Sequence, residues 1–258
     1  MDYYILSKTG DREINEDCAG AAKRDNELCF VLADGLGGHD KGEVASGLVT
    51  GKALSMFEEG AFPGGCLEEG LGRCFRVCQE TLLGYQEEHD AREAMKTTMT
   101  VLLESKGTFQ WGHIGDSRLY YFQGGRLIAR TLDHSVPQML AASGEIRERD
   151  IRGHEDRNRL LRVMGTLWDR PRYELSRPVP AGRGQAFLLC TDGFWEWIEE
   201  KRMLYYLRRS DSPRQWLECM ELEILRRGEG RNMDNYTAIG IFVDDEAGRQ
   251  PGFFRLFK

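Results

Sequence analysis

The chain has 258 residues, 41% hydrophobic and 30% charged, the composition of a folded domain able to bury one sizeable core. A formal net charge of −7 speaks against nucleic acid or an anionic membrane as the main partner. No apolar stretch approaches the roughly 20 residues of a membrane span, and the first eleven residues hold no basic-then-apolar leader. The seven cysteines include no C-x-x-C pair, so a reduced, cytoplasmic chain without a membrane partner is expected, acting as a monomer.

In chain order, Tyr3 to Ser7 reads as a short strand, and Thr9 to Asp17 as a polar segment ending in Glu16-Asp17. Leu28 to Ala33 is an apolar run of strand length that stops abruptly on Asp34, with Gly35, Gly37 and Gly38 directly after it. Glycines there let the backbone turn sharply and approach a ligand closely, so the strand delivers one carboxylate to a glycine-lined opening. A tight strand-to-helix turn with Asp34 as its cap explains this stretch equally well when it is taken alone.

Two helices follow. Gly42 to Glu58 carries an apolar stripe of Val44, Ala45, Leu48 and Val49 and is ended by Gly60. Leu67 to Glu87 places Leu71, Cys74, Phe75, Cys78 and Leu82 on one face, as core contacts. Cys74 and Cys78 lie one turn apart with no second ligand pair, so packing rather than zinc is expected of them. Thr97 to Leu103, Phe109 to Gly115 and Arg118 to Phe122 read as strands, and Gly124-Gly125 turns the last into Arg126 to Arg130. A short helix runs through Met139 to Ala142, with Pro137 near its start and Gly144 after its end. Glu145 to Arg172 is the least regular stretch and is expected to be an excursion over the site. Strand Ala186 to Cys190 leads into Asp192-Gly193, helices are expected around Phe194 to Glu200 and Arg214 to Arg227, and Asp234-Asn235 precedes the strand Tyr236 to Val243. One domain over 1–243 and a tail over 244–258 is the expected organisation.

Three aspartates, Asp34, Asp192 and Asp234, thus fall at strand ends far apart in sequence. Hard divalent cations take oxygen ligands held on rigid elements, and such strand ends can supply them.

The chain resembles the metal-dependent serine/threonine protein phosphatases of the 2C type, in their bacterial single-domain form. The blocks are Arg12-x-x-Asn15-Glu16-Asp17, then Ala33-Asp34-Gly35-x-Gly37-Gly38-His39, then Thr97-Thr98 and Gly115-Asp116-Ser117-Arg118. Asp133-His134-Ser135, Cys190-Thr191-Asp192-Gly193-Phe194-Trp195 and Asp234-Asn235-x-Thr237 complete them. The resemblance implies an α+β fold, a four-layer α-β-β-α sandwich of two antiparallel sheets flanked by helix pairs, with metals at one end. It also implies hydrolysis of phosphoserine and phosphothreonine on phosphorylated proteins, set against a Ser/Thr protein kinase. Two positions depart from the family pattern. Lys96 stands where a glycine usually precedes the two threonines, and Leu36 where some members have a histidine assigned as proton donor.

The chemistry fits that resemblance. Two tightly held ions, Mn²⁺ or Mg²⁺, would screen a phosphate monoester and activate a water for in-line attack. On this reading Asp34 bridges both ions and the Gly35 carbonyl is a neutral ligand, while Asp192 and Asp234 hold one ion from the far side. Glu16 and Asp17 hold the hydration shell of the other ion, and the fork of Arg12 grips the substrate phosphate. No covalent nucleophile is required. His39 has two readings, a proton donor to the leaving alkoxide or a histidine that fixes the glycine turn, and the second is the expectation. Asp116 reads either as an ordinary turn aspartate or as a ligand, beside Asp192, of a third and weaker ion, and the ligand is the expectation. A two-metal nuclease is disfavoured by the acidic charge. A catalytically dead adaptor is disfavoured because Asp34, Asp192, Asp234 and Arg12 are all present.

Overall fold

The computed structural model describes residues 1–36, 41–62, 66–91 and 94–243. Twelve strands are described among them, and they form two antiparallel sheets. The first sheet has the order β1 (Asp2–Lys8), β12 (Tyr236–Val243), β11 (Gln185–Cys190), β7 (Arg118–Gln123), β8 (Arg126–Arg130). The second runs β10 (Val179–Pro180), β6 (Thr108–Ile114), β5 (Met99–Ser105), β3 (Glu27–Leu36), β2 (Asp17–Arg24). Two short strands lie off that path, β4 (Lys96–Thr97) on β3 and β9 (Glu174–Leu175) on β6.

Strands buried on both faces need apolar residues at successive positions, and here each face meets a different layer. On β3, Phe30 and Leu32 point between the sheets with Phe187 and Leu189 of β11 and Ile239 and Ile241 of β12. The alternate residues Cys29, Val31 and Ala33 face outward, against α1 (Gly42–Glu58) and α2 (Leu67–Glu88), where they meet Val49, Cys74 and Cys78. Both cysteines of that pair are free and buried, as the packing reading expects. On the first sheet the outward residues Leu188, Cys190 and Phe242 pack under Trp216, Leu217 and Met220 of α6 (Pro213–Gly228) and Met203 and Leu207 of α5 (Glu200–Leu207). The resulting layers are helices, sheet, sheet, helices. No helix of the described residues is long and apolar enough to cross a membrane.

Several details differ from the sequence expectation. β3 does not end at Ala33: it continues through Asp34 and Gly35 to Leu36, because β4 extends the sheet there, pairing Gly35 with Thr97 and Leu36 with Lys96. Asp34 is therefore a strand residue, not a turn cap. β2 carries Cys18-Ala19-Gly20-Ala21-Ala22, residues of low strand preference. Small size is what the position demands, since a Cβ on Gly20 would stand 2.6 Å from Leu54 Cδ1 on α1. The helix expected around 194–200 is two pieces, α4 (Asp192–Trp195) and α5. α3 (Val136–Ser143) begins at the Ser135 cap, which accepts from Gln138 N, and ends at Gly144 with φ 82°. The irregular stretch holds a 3₁₀ turn (Glu148–Gly153), then returns to the fold through bridges pairing Leu160 with Ser135 and Met164 with Thr97. The expected tail, 244–258, lies outside the described residues.

Candidate active site

Among the described residues, the ends of the two sheets bring four aspartates together, Asp17, Asp34, Asp116 and Asp192, with Asp234 at their rim. β2 and β3 are in register with Asp17 directly opposite Asp34. From the other sheet come Asp192, which opens α4 just after β11, and Asp234, just before β12. Asp116 enters from the turn between β6 and β7, where Gly115 adopts φ 103° and a Cβ on it would meet the Thr98 side chain at 2.5 Å.

Glycines let these elements meet. A Cβ on Gly35 would sit 2.2 Å from the Gly42 carbonyl oxygen, and one on Gly193 would sit 2.0 Å from that of Asn235. Threonines fix the main chain: Thr98 Oγ1 accepts from Asp34 N at 2.9 Å, and Thr97 Oγ1 donates to Asp34 O at 2.7 Å. Asn235 clamps the loop before β2, accepting from Glu16 N at 2.8 Å and donating to Thr9 O at 2.8 Å and Ile14 O at 2.9 Å. That clamp presents Arg12 at the rim, where Nη2 meets Asp234 Oδ2 at 2.9 Å with both side chains largely exposed.

The cluster is electrostatically frustrated. Burial pushes Asp17 up to about 8, with Asp192 and Asp234 adding to it, against the nearby Thr237 hydroxyl and donation from Thr191. Burial, then Asp17, Asp192 and Asp116, holds the Asp34 carboxyl well above the usual range. Burial and then Asp234 raise Asp192 to about 6. Asp116 stands well above its ordinary value, first through burial and next through Asp192. Glu16 is raised by burial, Glu43 and Asp234. A carboxyl missed in the sequence, Glu196, follows Asp192 by one helical turn and is pushed up to about 7 by burial and then Asp192, with Arg157 at 3.1 Å. Its spacing of four from Asp192 was the signal available for it.

One oxygen of Asp17 is satisfied, Oδ2 accepting from Thr191 Oγ1 at 3.0 Å, while Oδ1 is buried with no partner. An orphaned carboxylate oxygen among like charges calls for a cation. The donors are all oxygens, which suits hard divalent ions such as Mg²⁺ and Mn²⁺ rather than thiophilic metals. The sequence placed Asp17 behind a hydration shell beside Glu16. The structure places it within the cluster facing Asp34, because it starts a strand. Asp34, Asp192, Asp116 and Asp17 are brought together, Asp234, Glu16 and Arg12 stand at the rim, and His39 lies outside the described residues.

A second group, His113, His134 and Glu174, lies at the edge of the sheet with its donor atoms within 4.8 Å of one another. It is committed to hydrogen bonds. His134 Nδ1 accepts from Gly115 N, so its proton sits on Nε2 and meets Glu174 Oε1 at 3.2 Å, while His113 Nε2 donates to Leu132 O. Burial depresses both imidazoles, His134 to about 4, so the pair is neutral near pH 7.

The profile of the family described as Protein phosphatase 2C matches residues 7–227. The chain is 31% identical over 234 residues to the serine/threonine protein phosphatase PstP of Mycobacterium tuberculosis, covering 91% of this chain and 43% of that one. It thus spans under half the length of that relative. It is 28% identical to the serine/threonine phosphatase stp of Listeria welshimeri, covering 88% of this chain and 90% of that one. The solved catalytic domain of PstP in complex with two manganese ions superposes with a TM-score of 0.79 at 29% identity, covering 94% of this chain and 98% of that one.

Proposed function

Because the chain belongs to the protein phosphatase 2C family, we propose that it hydrolyses phosphoserine and phosphothreonine on proteins, opposing a Ser/Thr protein kinase. Two divalent cations, Mn²⁺ or Mg²⁺, would supply charge screening and a water of lowered pKa when bound. Manganese in the related PstP domain supports that choice.

The chain's own residues do the rest. Asp34, from β3, has the carboxyls of Asp17, Asp192 and Asp116 around it and would bridge two ions, with Gly35 offering its carbonyl. Asp192 and Asp234 would hold one ion from the side of the first sheet. Asp17, with one oxygen fixed by Thr191 and the other unpaired, and Glu16, held through its main chain by Asn235, would hold the second ion and its waters. Asp116 would share a weaker third ion with Asp192. Arg12 stands exposed beside Asp234, where its guanidinium can grip a substrate phosphate as it enters.

The observation that carries this reading is the buried unpaired oxygen of Asp17 among carboxyls raised by mutual repulsion. The test is phosphate release from phosphoserine and phosphothreonine peptides by the metal-depleted chain. Turnover should appear with Mn²⁺ or Mg²⁺ and vanish with chelator. Equal turnover by chain shown to be metal-free would overturn the reading.

A further inference from the structure

The helix α4 has Asp192 at its first position and Trp195 at its last, and the two ends do different things. The Trp195 indole is 2% exposed, and its Nε1–H donates to the main-chain carbonyl of Asp116 at 3.0 Å. Asp116 belongs to the turn between β6 and β7, far away in sequence. One hydrogen bond therefore joins the turn that bears Asp116 to the helix that bears Asp192.

The donor itself is held rigidly. The Arg118 guanidinium lies 3.4 Å from the centre of the Trp195 ring, and Asp133 fixes Arg118 through bonds of 2.8 and 2.7 Å. Arg152, from the 3₁₀ turn, donates to the Trp195 carbonyl at 3.2 Å and to that of Ile198 at 3.1 Å. Packing alone would be served by any aromatic ring stacked on Arg118. The indole also donates a directed N–H to a buried turn carbonyl, a group that is costly to leave unpaired, which a phenyl ring cannot do. The far side of the same turn is fixed independently, by His134 N donating to Gly115 O at 2.9 Å and by Thr98 Oγ1 meeting Ser117 Oγ at 2.7 Å. Asp116 O is the point at which the turn is tied to α4.

We propose that Trp195 is a positioning residue whose indole N–H holds the Asp116 carboxylate beside that of Asp192, and so sets the affinity of the weak cation site that this pair forms. The proposal rests on the reading of Asp116 as a cation ligand, but its test does not need turnover. Mn²⁺ is titrated calorimetrically into metal-free full chain, as wild type, Trp195→Phe, Asp116→Asn and the double variant. Trp195→Phe keeps the ring and removes the donor. It should leave the tight steps unchanged and weaken the last step by about tenfold, the scale of one hydrogen bond to a buried group. Asp116→Asn should abolish that step, and adding Trp195→Phe to it should change nothing more.

Where turnover is measured, Trp195→Phe should raise the Mn²⁺ concentration needed while leaving KM for phosphopeptide unchanged. Should Trp195→Phe fold poorly, the wild type serves: the ¹⁵N-indole signal of Trp195 should move during the weak step of a Mg²⁺ titration and stay still in Asp116→Asn. A wild-type titration without a weak step, an unchanged weak step in Trp195→Phe, or equal loss of the tight steps would each overturn the proposal. A chain that binds metal in the expected pattern yet releases no phosphate would overturn the proposed function and leave this inference standing.

Discussion

Asp34 lies on β3 and Asp192 at the start of α4, and replacing either by asparagine removes a formal charge from the site. Asp34→Asn and Asp192→Asn should lower turnover on a phosphopeptide by about a hundredfold or more, since each takes away a charged ligand. Arg12 should behave differently. Its guanidinium meets Asp234 at 2.9 Å and competes with any cation for that carboxylate. Arg12→Ala should raise KM for phosphopeptide while Mn²⁺ affinity, read by calorimetry, stays the same or improves. Weaker metal binding in Arg12→Ala, matching that of Asp34→Asn, would contradict the assignment of Arg12 to phosphate. Asp17→Asn keeps an oxygen for Thr191 and removes the orphaned charge. It should weaken Mn²⁺ binding while making the metal-free chain more stable at alkaline pH, the two effects having opposite sign because one carboxylate causes both.

At the scale of elements, the close crossing of β3 with the start of α1 is what brings Asp34 to the site. A Cβ on Gly35 would lie 2.2 Å from Gly42 O and 2.8 Å from Glu16 O, both main-chain atoms that cannot move aside cheaply. Gly47, inside α1, has nothing within 4 Å of the same hypothetical atom. Gly35→Ala should therefore lower the melting temperature and Mn²⁺ affinity together. Gly47→Ala should raise stability by about 0.5–1 kcal/mol, the usual gain of alanine over glycine in a helix. The same contrast shows which parts of the fold were legible. The apolar run Leu28 to Ala33 announced β3 and the alternating run Tyr236 to Val243 announced β12, because strands inside a sandwich carry apolar residues at most positions. β2 was silent, because the close approach of Leu54 selects glycine and alanine there rather than β-branched residues. With β2 unread, the registration of Asp17 against Asp34 was unreadable too. The strand-end aspartates were visible in the sequence and Glu196 only by its spacing from Asp192, whereas the partners of Thr191 and Trp195, Asp17 and Asp116, lie far away in the chain where no local pattern points.

For the molecule as a whole, the cost of gathering carboxyls appears as a link between pH, metal and stability. The folded state raises Asp17 from 3.8 to about 8 and Asp192 from 3.8 to about 6, both chiefly by burial. A group raised on folding binds its proton more tightly in the folded chain than in the unfolded one. Its stabilising contribution is complete below pH 3.8 and is lost as pH rises through the folded value. Metal-free chain should thus lose stability progressively between about pH 5 and pH 8 as these two carboxyls are forced to ionise in place. A bound divalent cation reverses the penalty, since it needs the ionised form and releases the protons on binding. Thermal melts with chelator should fall in midpoint from pH 5 to pH 8, and melts with excess Mn²⁺ should not. The gain in midpoint on adding Mn²⁺ should be larger at pH 8 than at pH 5, growing with the logarithm of free metal. Calorimetry in buffers of different ionisation enthalpy should show proton release near pH 6.5 that shrinks toward pH 9. In Asp17→Asn the fall in the chelated midpoint between pH 7 and pH 8.5 should be reduced, because the group with the higher folded value has been removed. A chelated midpoint that rose steadily from pH 5 to pH 8 would show that the carboxyls are ionised and compensated by the protein itself, leaving no electrostatic reason for the chain to hold metal.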